Sequence, residues 1–155
     1  MTLVVSDSSP LIALSQINQI KLLHDLFGEV VIPGAVAREV SPGVRLPTWI
    51  TTRPLAMRVG LELLLPKLGL GETEAVVLAA QDGADWLLRD ERPARRIAQA
   101  LGLRVAGTLG LLVRAKEKGL LPAVRPPLEA LLRAGFYAKP SLIQRILRDA
   151  GEAEA

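Results

Sequence analysis

The feature that most constrains this chain is a regular alternation of short apolar runs with longer helical stretches. Leu3–Ser6, Glu29–Ile32, Asp85–Leu88 and Arg104–Ala106 read as strands, and Trp49–Thr52 as an edge-like one. Between them lie segments with helical signals. Ser8, Ser9 and Pro10 offer a hydroxyl cap and a proline in the first turn of a helix running from Pro10 to about Phe27, with a break near Asn18. Further helices are predicted over Ala35–Val40, Ala56–Leu68 (interrupted near Pro66), Glu72–Gln81, Glu91–Leu101, Thr108–Lys118 (capped by Thr108, stopped by Gly119), Pro127–Ala134 and Ser141–Ala150. The wholly apolar stretch Ala75–Ala80 should be buried. Ser41–Pro47 is a Pro- and Gly-rich loop, and Gly69-Leu70-Gly71 reads as a tight connection. Strands alternating with helices specify an α/β fold, a three-layer α/β/α sandwich around a mainly parallel central sheet.

The 155 residues fit one domain, 1–155, with a core over about 3–121, two C-terminal helices over about 127–150, and a tail at 151–155 expected to fray. The core should be aliphatic, since half the residues are hydrophobic but only 3% are aromatic. The absence of cysteine excludes disulfides and thiolate metal sites and suits a reducing, cytoplasmic setting. The opening MTLVVSDSSPLIAL lacks a basic leader, and no apolar run reaches the roughly 18 residues a membrane span needs, so no signal peptide and no membrane partner are expected.

Net charge is +3, but it is unevenly spread. Residues 1–88 carry 6 basic and 9 acidic side chains, whereas residues 89–118 carry 8 and 3. The acidic half could hold cations and the basic segment phosphates, or both could be ordinary solvated faces.

The acids fall at informative places. In open parallel sheets, ligands bind outside the carboxyl ends of the strands. Asp7 directly follows the first strand, and Asp90 follows Asp85–Leu88. Glu72 and Glu74 open the buried helix after the glycine turn, and Glu39 lies three residues beyond Val36, on a side that could face the core. Each has a structural alternative: Asp7 and Asp90 as helix caps, Glu72 and Glu74 as partners of a helix dipole, Glu39 as a solvated residue. Gathered together, close carboxylates repel unless a cation sits among them, and hard oxygen ligands suit Mg²⁺ or Mn²⁺. Two such ions about 4 Å apart can activate water and stabilise the leaving oxygen of a phosphodiester. That chemistry needs no histidine or cysteine, and His24, the single histidine, reads as structural beside Leu23 and Leu26. A haloacid-dehalogenase-type phosphatase would need a second Asp where Ser9 stands, and no phosphate-binding GxGxxG or GxxxxGK[ST] loop occurs. Trp86 reads as core, and Tyr137 and Trp49 carry no assigned role.

The blocks VVSDSSPLIAL, VVIPGAVAREV, GLGETEAVVLAAQDGADWLLRDERPAR and LRVAGTLGLLVRAKEKGLL together resemble the PIN-domain nucleases, in particular a prokaryotic branch associated with toxin–antitoxin systems. The resemblance covers about residues 3–121. It implies a metal-dependent endoribonuclease acting on single-stranded RNA with Mg²⁺ or Mn²⁺, two ions in all. Matched residue by residue, it implies Asp7, Glu39, Glu72 or Glu74 or both, and Asp90 as metal-binding acids, with Glu74 taken as the catalytic one of its pair and Ser8 or Ser9 supporting Asp7. The chain departs from the pattern at Arg89, where many members carry Ser or Thr shortly before the fourth acid. Arg92, Arg95 and Arg96 are candidates to grip RNA phosphates. An antitoxin protein and a second copy of the chain are further expected partners, with the Leu61–Leu65 run as the apolar surface. The alternative is a degenerate module of this kind that binds RNA or a protein without cutting.

Overall fold

The computed structural model describes residues 2–56, 69–90 and 99–153. Its centre is a five-stranded parallel sheet made of β1 (Val4–Ser6), β2 (Val30–Ile32), β3 (Ile50–Thr52), β4 (Trp86–Leu88) and β5 (Arg104–Ala106), in the order β3-β2-β1-β4-β5. Every pairing is parallel. Each strand lies within a residue of its expected span, and Trp49–Thr52 was rightly read as an edge. Val4, Val5, Val30, Val31, Ile32, Leu87 and Leu88 are all essentially inaccessible, as continuous apolar strands in a sheet covered on both faces must be.

Among the described residues, seven helices cover the sheet: α1 (Ser8–Gln16), α2 (Lys21–Phe27), α3 (Gly34–Val40), α4 (Leu70–Asp82), α5 (Thr108–Glu117), α6 (Arg125–Arg133) and α7 (Pro140–Asp149). Helix α4 lies across β1 and β4 and packs on α3, while α5 touches α1, α6 and α7. This is the α/β/α sandwich that the sequence pattern specifies. The helix expected from Pro10 to Phe27 is two helices, because Asn18 takes a left-handed φ of +56° and interrupts the hydrogen-bond ladder between α1 and α2. His24 is structural, as expected: its Nδ1 bonds the Gly28 carbonyl oxygen at 2.7 Å, and its ring stacks on Trp49.

Three local expectations need correction. The cap of α1 is the Asp7 carboxylate, not a serine hydroxyl, since Asp7 Oδ1 accepts from the Ser8 amide. The cap of α5 is Gly107, and Thr108 is already helical. Gly69 caps α4, so the presumed connection Gly69-Leu70-Gly71 is the start of that helix. The chain end also differs. Glu152 is anchored rather than frayed, accepting from the Val124 amide (2.8 Å), the Arg125 amide (3.1 Å) and Lys116 Nζ (3.0 Å). Most of the helices expected over Ala56–Leu68 and Glu91–Leu101 lies outside the described residues, as does the Leu61–Leu65 run. Among the described residues, no helix is long and apolar enough to cross a membrane.

Two predictions follow from these contacts. Leu112 is fully buried in the middle of α5. Leu112→Ala is expected to lower unfolding stability by about 2–5 kcal/mol, read from urea titration. For Glu152, burial raises the carboxyl pKa, but the Val124 amide, Lys116 and the Arg125 amide outweigh it and hold the value below the ordinary range. A lowered native pKa contributes stability above the unfolded value that disappears as pH falls through the native one. The melting-temperature gap between wild type and Glu152→Gln should therefore be largest near neutrality and close in acid. A gap independent of pH would refute the assignment.

Candidate active site at the carboxyl edge of the sheet

The strand order reverses direction at β1: β2 and β3 extend to one side, β4 and β5 to the other. Such a switch point leaves a crevice outside the carboxyl ends of the two central strands. The register Ser6↔Leu88 places Asp7 and Arg89 next along the two chains, with Asp90 one residue further. The Asp7 amide donates to the Leu88 carbonyl oxygen at 2.8 Å, so the pairing continues into the site. Asp7 and Asp90 therefore emerge at the same edge of adjacent strands.

Asp7 is 4% exposed. Its Oδ1 is fixed by the Ser8 amide at 2.7 Å, at the positive end of α1. Ser8 also donates its hydroxyl to Glu39 Oε2 at 2.5 Å, so one residue orients two of the candidate acids. Ser9 makes no such bond among the described residues. Glu39 does not face the core; Ala35, Val36 and Val40 do. Its carboxylate instead reaches from the rim of α3 to Ser8 and to the Gly71 amide, 3.1 Å away. Glycine at position 71 lets the carboxylate come this close, since an added Cβ would push it aside.

The two glutamates that open α4 diverge. Glu72 points toward Arg89, with an Oε2 to Nη2 separation of 3.9 Å. Glu74 turns toward the chain leaving β2, where its Oε1 accepts from the Ala35 amide at 2.9 Å. Asp90 is clamped from β5: Thr108 donates its amide to Oδ1 at 2.7 Å and its hydroxyl to Oδ2 at 2.8 Å. Gly107 leaves the room this requires, since an added Cβ would stand 3.0 Å from Asp90 Oδ1. Thr108 was missed as a site residue because a threonine at a helix start reads as a cap. Arg89 was seen only as a departure, yet its side chain is 1% exposed. Arg92, Arg95 and Arg96 lie outside the described residues.

In kind, the donors fit a hard divalent cation: all are carboxylate oxygens, and an oxygen accepting one hydrogen bond keeps a second lone pair. Among the described residues, no three Asp, Glu or His side chains are gathered closely enough to form a ready metal site. From Asp90 a cavity of about 430 Å³ extends between α5 and the C-terminal helices, bordered by Trp86, Arg114, Phe136, Tyr137 and Arg145. Trp86 is half-buried, and the guanidinium groups of Arg104 and Arg114 each lie over its ring, 4.5 and 4.8 Å from the centroid.

A parallel sheet with acids flanking its switch point defines an α/β protein with an anionic carboxyl-edge site. A family model described as a PIN domain matches residues 3–152, and the chain belongs to that family. PIN domains are in general nucleases that use divalent metal ions. No curated protein and no solved structure matches the chain significantly.

The Thr108 clamp is directly testable. Thr108 is fully buried, and Thr108→Val keeps its shape while removing the hydroxyl. The variant is expected to lose about 1.5–3 kcal/mol, the range for a hydrogen bond to a charged group, in denaturant titration. A loss below about 0.5 kcal/mol would show that the bond contributes little.

Proposed function

We propose that the chain is a metal-dependent endoribonuclease that hydrolyses single-stranded RNA, with the β1/β4 crevice as its active site. The observation that carries this reading is the meeting of Asp7 and Asp90 at one edge of adjacent parallel strands. Asp7, Glu39 and Asp90, with Glu72 or Glu74, are the acids that would hold Mg²⁺ or Mn²⁺. When bound, the metal would lower the pKa of a water molecule and neutralise charge on the phosphodiester. The protein's own part is to hold the acids in place. Ser8 fixes Asp7 and Glu39 together, and Thr108 fixes both oxygens of Asp90. Tyr137, 81% exposed beside the cavity that begins at Asp90, offers a ring on which a single-stranded base could stack, and Arg114 offers charge for a phosphate. Arg92, Arg95 and Arg96 extend that basic segment in sequence. A toxin role, with an antitoxin and a second copy of the chain as partners, is the biological setting in which we place this activity.

Two observations favour the second reading, a module that binds RNA or a protein without cutting. A buried arginine already faces Glu72, and the described acids form no ready metal site. Labelled single-stranded RNA separates the two. The nuclease requires cleavage that depends on Mn²⁺, stops on chelation, and falls by more than about 100-fold in Asp7→Asn, beyond the usual cost of losing an outer partner of a metal site. Cleavage that survives both chelation and Asp7→Asn rejects the proposed site, and RNA binding without any cleavage selects the second reading.

A further inference from the structure

The sequence places an arginine where a sheet edge gathers acids, and the fold buries it. Arg89 is among the largest fully buried side chains of the protein. Its backbone is fixed on the β5 side by the bond from its amide to the Ala106 carbonyl oxygen, at 3.0 Å. On the β1 side, the register sets it beside Asp7. A guanidinium does not lose its proton under ordinary conditions, so this is a permanent positive charge. Burying such a charge is costly unless anions surround it. Glu72 faces it at 3.9 Å, and Asp7 and Asp90 are attached to the same two strand ends.

We propose that Arg89 is an internal counter-ion of the acidic edge. It supplies positive charge that a second divalent cation would otherwise supply, so the site takes one Mg²⁺ or Mn²⁺ ion rather than two. The proposal rests on the carboxyl edge being the metal site of the proposed nuclease. Three features support it. The arginine is buried at the strand end, next to Asp90 in the chain and beside Asp7 in the register. Glu72, which faces it at 3.9 Å, is one of the candidate metal-binding acids, which leaves fewer carboxylates for ions. The remaining acids also accept bonds from neutral donors: Asp7 from the Ser8 amide, Glu39 from Ser8 and Gly71, and Asp90 from Thr108. The acid set can therefore stay assembled without metal, since its repulsion is offset from within. Arg89 acts through Glu72 and the local charge, which makes it a positioning residue.

The test is calorimetric titration of the metal-free, full-length protein with Mn²⁺ alone, for wild type, Arg89→Met, Arg89→Gln and Arg89→Lys. Wild type is expected to take up one equivalent. Both neutral variants should take up a second, or bind the first at least tenfold more tightly, and Arg89→Lys, which keeps the charge, should follow wild type. Thermal melts supply a second readout, in which neutral variants melt lower than wild type without metal and gain more from Mn²⁺. Arg89→Gln keeps the test open if Arg89→Met does not fold. Two equivalents in wild type, or the same titration in wild type and the neutral variants (including no uptake by either), overturns the proposal. Wild type that binds one Mn²⁺ but cuts no RNA would reject the nuclease reading and leave the role of Arg89 intact.

Discussion

The pairing of β1 with β4 is the interaction on which the rest of the structure depends. These strands are far apart in sequence, and their three-residue register brings residues 7 and 90 to one edge. The bond from the Asp7 amide to the Leu88 carbonyl oxygen carries that register beyond the strands. A shift of one residue would reverse the face to which each side chain points. Val4, Val5, Leu87 and Leu88, packed on the two faces of a sheet covered on both sides, would then exchange faces, and Asp7 would lose its alignment with Arg89. The hydrophobic requirement of the central strands thus fixes the geometry of the polar edge.

That edge is organised by helix starts. Asp7 caps α1, Asp90 accepts from the first residue of α5, and Glu72 lies in the first turn of α4. The exposed amide groups and the dipole at these ends favour negative charge. Asp7 and Asp90 therefore hold helix starts and are candidate ligands at once, and the two roles do not compete. A carboxylate whose direction is fixed by a cap is already oriented for a cation and loses less freedom on binding one. Arg89 adds a buried positive charge that faces one of these anions, Glu72.

The legibility of the molecule in its sequence follows the range of the interactions. Strand positions could be read because a fully covered parallel strand must be apolar throughout, as in VVS, VVI and WLL. The edge position of Asp7 and Asp90 could be read because each follows such a run. The break at Asn18 was visible as a polar interruption, although its left-handed geometry was not. What failed was local role assignment. Serine and threonine at helix starts read as caps, yet Asp7 and Gly107 occupy the capping positions, while Ser8 and Thr108 donate to acids across the fold. Glu152 looked like part of a loose tail because its three partners lie more than 25 residues earlier.

Sequence alone determined the fold class, the family resemblance and the set of candidate acids, because these rest on periodicity and on residue types at strand ends. Tertiary structure decided which strands are neighbours, that Glu72 faces Arg89 while Glu74 faces Ala35, and that Arg89 is buried. The physical reason is that a side chain's direction at the edge is set by sheet order and by helices packed from distant parts of the chain. Those contacts leave no mark in the local pattern of the residues that make them.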